Sequence, residues 1–195
     1  MFDFRGHGRS ARAPTGYDTA TLAQDLGALT VDLPAFDLVG HSWGALVALR
    51  FAIAHPARVR RMVLVEAPVP PSSALEMAAF VDQRPDKILD ALPETLRAAV
   101  ATGRRQAQRL VDNVTYLVRD TSLLADVRAE RELPDLGTLR APTLCAYGDR
   151  SACLPGGEQL ARATHAKLLV LPGGHYLHLD ARNELTAEIG AHLRG

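Results

Sequence analysis

Residues 36–48 read Phe-Asp-Leu-Val-Gly-His-Ser-Trp-Gly-Ala-Leu-Val-Ala. A short apolar run (Phe36, Leu38, Val39) meets Gly40-His41-Ser42-Trp43-Gly44, and an apolar-periodic segment follows. The pattern predicts a strand, a sharp turn with Ser42 at its apex, and a helix. Gly40 and Gly44 meet a steric need, because a strained elbow brings backbones together and a Cβ at either position would clash. Such a turn lifts the Ser42 hydroxyl above the sheet edge at a helix N-terminus. There the N–H groups and the helix dipole favour a developing oxyanion. The five-residue pattern alone is a weak signal, equally that of a plain tight turn; between a strand and a helix it is a strong one.

A serine hydroxyl is a poor nucleophile alone. It needs a base within hydrogen-bond reach and a carboxylate to orient that base. Seven histidines compete for the first role. His7, His41, His55, His165 and His192 fall in turns or helices with no distinguishing context. His175 follows a predicted strand, and the pair Gly173-Gly174 before it frees the loop to reach across the strand ends. His178, three residues later, is its rival.

The elements that must position these groups are predicted from periodicity. Phe2 and Phe4 read as the end of a strand. A helix is expected over 19–31, with Leu22, Leu26 and Leu29 on one face. A strand at 36–40 and a helix at 45–54 follow, the helix stopped by Pro56. Residues 59–65 form another apolar strand. From 67 to 139 prolines divide a helical stretch whose inner faces would carry Leu96, Val100, Leu110, Val114, Leu117 and Leu124. Strands at 142–147 and 167–171 then alternate with helices at 158–163 and 181–193. Near-continuous apolar strands separated by helices predict an α/β fold, a mostly parallel sheet with helices on both faces.

At 195 residues the chain suits one domain with a sizeable core. Lys plus Arg equal Asp plus Glu, 22 against 22, so no net field draws nucleic acid or an anionic membrane. Arg60-Arg61 and Arg104-Arg105 read as solvated faces. Cys145 sits in an apolar run as a small core residue and Cys153 in a loop, without disulfide or metal-ligand spacing. There is no phosphate-cradling loop, dinucleotide fingerprint or metal-ligand cluster, so no cofactor and no metal are expected. Arg5-Gly6-His7-Gly8 reads as a structural turn. With no membrane-length apolar run and no signal peptide pattern, a cytoplasmic protein is expected.

The whole chain resembles an α/β-hydrolase of the serine esterase-like branch. Four pieces match in order: Asp3-Phe4-Arg5-Gly6-His7-Gly8-Arg9-Ser10 after that fold's fourth strand, the Ser42 elbow after its fifth, an insertion after its sixth, and Gly173-Gly174-His175 after its eighth. The resemblance implies Ser42 as nucleophile, His175 as base, His178 in a structural role and the Trp43 N–H as half of an oxyanion hole. It implies a core of residues 1–66 and 140–195, with 67–139 as a helical cap or lid. The family's usual acid follows the seventh strand, in a pattern like Gly-Asp/Glu-x-Asp. Here that stretch is Gly148-Asp149-Arg150-Ser151-Ala152-Cys153, with Ser151 where the Asp is expected. A second family placement, after the sixth strand, falls on Glu66. Adjacent strand ends lie roughly 5 Å apart, so a carboxylate can move one strand over and reach the same imidazole. Glu66 is the favoured acid and Asp149 the alternative.

By the same resemblance the chain starts in the fourth strand, an N-terminally truncated version of the fold. The strand at 36–40 would then be an exposed apolar edge, suited to pairing with a second copy in a homodimer. The loop that supplies the second oxyanion donor is missing, and losing such a donor costs about 10²–10³-fold in rate. The expected function is a serine hydrolase acting on an ester-like carbonyl (carboxylic ester, thioester or lactone) through an acyl-enzyme. Its substrate would be a small molecule with an apolar acyl group or ring, with no nucleic acid or membrane partner. Serine at the elbow argues against the dehalogenase and epoxide-hydrolase branches, which use a carboxylate nucleophile. The alternative expectation is a non-catalytic, hydrolase-like protein that binds a ligand or partner.

Overall fold

Among the described residues four apolar runs become strands, the two central ones largely buried between helices and the two outer ones more exposed. They are β1 (Phe36–His41), β2 (Val59–Val65), β3 (Thr143–Gly148) and β4 (Lys167–Leu171), paired in that order and all parallel. The α-helices among the described residues are α1 (Thr19–Leu29), α2 (Trp43–Ala54), α3 (Glu94–Ala101), α4 (Arg105–Asp120), α5 (Leu123–Ala129), α6 (Leu154–Thr164), α7 (Leu177–Asp180) and α8 (Arg182–Arg194). This computed structural model describes residues 2–69, 94–102, 105–130 and 135–195. Two compact units divide the chain: Met1–Leu22 with Met77–Glu130, and Ala23–Glu76 with Arg131–Gly195.

The sheet lies in the second unit. Strand periodicity sorts its residues by face. Val63 and Val65 of β2, Leu144 and Ala146 of β3, and Leu169 and Leu171 of β4 share one face. Leu177 of α7 and Leu185, Ile189 and Leu193 of α8 cover it. Gly40, Leu64, Cys145 and Tyr147 point the other way. There α2 approaches Gly40 and α6 approaches Tyr147: a Cβ on Gly40 would sit 2.5 Å from the Gly44 carbonyl, and one on Gly157 2.3 Å from the Tyr147 ring. Helices therefore cover both faces, as the alternation predicted. All six residues of β3 are buried. Its fully buried Leu144 contributes roughly 1.5–3 kcal/mol relative to exposure. Among the described residues β1 has a ladder partner on one side only, and Val39 is 52% exposed. The expected open edge is thus present.

In the first unit, carboxylates of α5 and the residue after it hold the segment entering α1. Asp126 Oδ2 accepts from the Tyr17 N–H at 2.8 Å and from the Ser122 hydroxyl at 2.6 Å, and Glu130 Oε2 accepts from the Thr19 N–H at 3.2 Å. Tyr17 and Leu117 are buried in it. The helical stretch expected over 67–139 carries α3, α4 and α5 in its described part. Residues 70–93, 103–104 and 131–134 lie outside the described residues, as do the side chains of Leu96 and Leu110.

Several boundaries differ from the sequence reading for local reasons. Phe2–Phe4 is not a strand, since no described strand offers it a ladder. Loop contacts hold it instead: the Ser10 hydroxyl donates to the Asp3 carbonyl at 2.7 Å and the Arg9 N–H to the Asp3 carboxylate at 3.0 Å. The Phe2 and Phe4 rings meet edge to face at 5.2 Å. Helix α1 stops at Leu29, where the Thr30 hydroxyl turns back to the Leu26 carbonyl at 2.7 Å. Helix α2 starts at Trp43, two residues early, straight out of the turn. Helix α6 starts at Leu154 because Pro155 is tolerated in a first turn, where its missing N–H costs nothing. No described helix is long and apolar enough to cross a membrane.

Candidate active site

The site forms where three parallel strands end. Ser42 follows β1 with φ 53° and ψ −124°, a backbone that few residues with a Cβ adopt. Its N–H donates to the Val65 carbonyl at 2.9 Å, and its carbonyl accepts the Ala45 N–H at 2.9 Å. The turn closes only because Gly40 has no side chain: a Cβ there would also lie 2.7 Å from Ala45 Cα. Trp43 opens α2, so its N–H belongs to the positive end of that helix.

Glu66 follows β2 with φ 54° and is fully buried. Its N–H continues the ladder to the Ala146 carbonyl at 2.9 Å. Its Oε1 accepts the Gly148 N–H and its Oε2 the Ser151 hydroxyl. A buried carboxylate needs such donors, for leaving one unpaired costs several kcal/mol. Gly148 is itself forced: a Cβ would lie 2.3 Å from the Gly173 carbonyl.

His175 stands in the loop between β4 and α7, which three side chains brace. Asp149 Oδ1 accepts the Gly173 N–H at 2.9 Å, Asp180 Oδ2 the Gly174 N–H at 2.8 Å, and His41 Nε2–H donates to the His175 carbonyl at 2.8 Å. His175 Nε2 lies 2.9 Å from Ser42 Oγ, and Nδ1 lies 3.5 Å from Glu66 Oε2. The first contact lets the Ser42 hydroxyl donate to Nε2, which leaves the ring proton on Nδ1, facing Glu66. The second is longer than a tight hydrogen bond and within ion-pair range of a charged ring.

The structure thus brings Ser42, His175, Glu66 and Trp43 together and keeps Asp149 apart. Asp149 is half-exposed, pairs with Arg150 at 3.3 Å and holds the loop rather than the ring. His178 stands in α7, its ring 5.0 Å from His41 and 5.9 Å from Tyr176. Desolvation, helped by His175 and Arg182 and opposed by Asp180, holds its pKa below the usual histidine value. Burial pushes the Cys145 thiol up to about 12, as befits an inert core residue. Burial also raises the Tyr147 phenol, whose hydroxyl donates to the Ala67 carbonyl at 3.1 Å.

Three neighbours escaped the sequence reading as site residues. Ser151 carried a signal, since it occupies the position where a carboxylate was expected. His41 could have been found from strand alternation beside Ser42. Cys153, buried at the start of α6 with Sγ 3.9 Å from His175 Nδ1, had none. Glu66, Cys153 and His175 offer ligand atoms within 4.8 Å of one another, a donor set that suits zinc. An ion there would occupy the Nδ1 and carboxylate atoms that face each other as base and acid.

The profile of a family described as "Alpha/beta hydrolase family" matches residues 1–189. A "Non-heme chloroperoxidase" of Streptomyces lividans is 41% identical over 107 residues, 53% of this chain and 37% of that protein. The "Non-heme chloroperoxidase CPO-A1" of Kitasatospora aureofaciens is 37% identical over 206 residues, 89% of this chain and 73% of that protein. Among solved structures, a thermophilic esterase from Thermogutta terrifontis superposes with a TM-score of 0.70 at 23% identity. That match covers 98% of this chain and 78% of the esterase. The chain therefore spans about a third of the first of these relatives and about three quarters of the other two.

Proposed function

The chain belongs to the alpha/beta hydrolase family, and from that premise we propose that it is a serine hydrolase acting on an ester-like carbonyl. Ser42 Oγ attacks the carbonyl carbon while His175 Nε2 takes its proton. The tetrahedral oxyanion falls near the Trp43 N–H at the start of α2. Glu66, behind Nδ1, holds the ring and stabilises the imidazolium as it forms. Collapse expels the leaving group, protonated by His175, and water activated by the same base clears the acyl-enzyme. The segment 67–139 is the proposed cap, and a small molecule with an apolar acyl group or ring the proposed substrate. The observation that carries this reading is the 2.9 Å contact between Ser42 Oγ and His175 Nε2, with the buried Glu66 carboxylate on the far side of the ring.

Labelling with a fluorophosphonate, read by mass spectrometry of the Ser42 peptide, tests it. The wild-type chain is expected to be modified at Ser42 and S42A to stay unmodified. A folded wild-type chain that resists the reagent would favour a non-catalytic binding role instead. The names of the Streptomyces and Kitasatospora relatives favour a second reading: hydrogen peroxide in place of water clears an acyl-Ser42, Ser42 leaves, and the peracid released oxidises halide to hypohalite as it is reduced to the carboxylic acid. Comparing wild type with S42A in an assay with acetate, peroxide and bromide tests it.

A further inference from the structure

We propose that Ser151 is a positioning residue that aims the Glu66 carboxylate at His175. The proposal rests on the serine-hydrolase reading of the site and adds to it a residue that stands where a carboxylate was expected. The Ser151 hydroxyl donates to Glu66 Oε2, the same oxygen that lies 3.5 Å from His175 Nδ1. The hydroxyl oxygen in turn accepts the Cys153 N–H at 3.1 Å, which fixes its rotor. The Ser151 N–H bonds to the Gly148 carbonyl at 3.1 Å, and the Gly148 N–H donates to Glu66 Oε1. One turn after β3 therefore gives each carboxylate oxygen its own donor.

Geometry makes this more than a capped turn. Glu66 is fully buried and Ser151 is 8% exposed, so bulk water does not replace a lost donor. Glu66 leaves β2 one strand away from the turn, and its carboxylate spans from the Gly148 N–H at the end of β3 to the His175 ring. A carboxylate tied only at Oε1 keeps its place at Gly148 and is free to swing Oε2 away from Nδ1. The hydrogen bonds of Ser151 run to Glu66, Cys153, Gly148 and Leu154, on the carboxylate's side of the site. Its effect reaches the chemistry through Glu66 alone, in the transition state, when the ring becomes charged.

The test compares S151A and S151T with wild type, using the rate of Ser42 labelling by a fluorophosphonate and turnover of p-nitrophenyl acetate. S151A is expected to label about 10-fold more slowly and to lose kcat by a similar factor at unchanged KM, the scale of one hydrogen bond to a charged group. S151T, which keeps the hydroxyl, is expected to recover most of that loss. S151G is read in place of S151A if the alanine chain does not fold. Wild-type rates in S151A overturn the proposal, as does an equal loss in S151A and S151T. An unreactive wild-type chain overturns the serine-hydrolase reading as well, so the two failures are told apart.

Discussion

Ser42 and Glu66 leave the sheet at the same level. Each follows one of the register partners His41 and Val65, and their φ values are 53° and 54°. The Ser42 N–H bonds to the Val65 carbonyl at 2.9 Å and ties the two exits together. A left-handed backbone costs a residue with a Cβ of order 1–3 kcal/mol, and such costs persist only where surrounding structure over-determines them. Two adjacent strands paying it at the same height offset nucleophile and acid by about one strand spacing, ~4.8 Å, on the two sides of one imidazole.

From this arrangement, Glu66 and not Asp149 serves the ring. E66Q is expected to lower the Ser42 labelling rate by about 10²–10⁴-fold, the range for removing the acid of such a triad. D149N keeps an acceptor for the Gly173 N–H and is expected to lose less than about 10-fold. A larger loss in D149N than in E66Q would reverse the assignment.

Because Ser151 touches the carboxylate oxygen nearest the ring, an acid placed there is expected to substitute for Glu66. E66Q/S151D is predicted to label at least about 10-fold faster than E66Q alone, by the same triad arithmetic. Stopped labelling series on the two variants read this directly. No gain would mean that the turn after β3 cannot bring a carboxylate to Nδ1.

Gly40 carries a steric prediction. In G40A the new methyl meets the Gly44 carbonyl at 2.5 Å and Ala45 Cα at 2.7 Å. The clash is with backbone, so the elbow must move. Destabilisation of about 1–3 kcal/mol is expected, which lowers Tm by about 2–4 °C per kcal/mol in a chain of this size. Ser42 labelling should fall further than the loss of folded protein explains, because the strained turn is what aims Oγ.

His178 sets a pH dependence of stability. Burial depresses its folded pKa below the ordinary histidine value of 6.5. As pH falls through 6.5 the unfolded chain takes up that proton before the folded chain does, so stability is lost on acidification. Thermal melts from about pH 7 to 5 should therefore drop more steeply for wild type than for H178Q. Parallel curves would mean that the ring titrates alike in both states.

Much of this was legible in the chain itself. The apolar run at 59–65 becomes a strand at those limits through burial, and the run at 167–171 through its ladder with β3. The Ser42 turn is legible because Gly40 marks a steric need that few other contexts impose. Family resemblance and strand spacing point to Glu66, while nothing local in the chain points to its donors. Hydrogen bonds between residues 82 and 85 apart in sequence, from Gly148 and Ser151, leave no periodic trace. The Phe2–Phe4 stretch has strand composition and no strand, since a ladder depends on a neighbour that composition does not report.

Ser42 and His175 meet across 133 residues of chain, and each of the sheet's three ladders is parallel. Contacts of that span close late, because loop-closure entropy must be met before they contribute anything. During refolding, helical signal should return first and sheet burial next. Reactivity toward a fluorophosphonate should return last, when β1, the turn after β3 and the loop after β4 are all in register. The nucleophile is thus also a clock for the folding reaction, one that runs only when the whole sheet has closed.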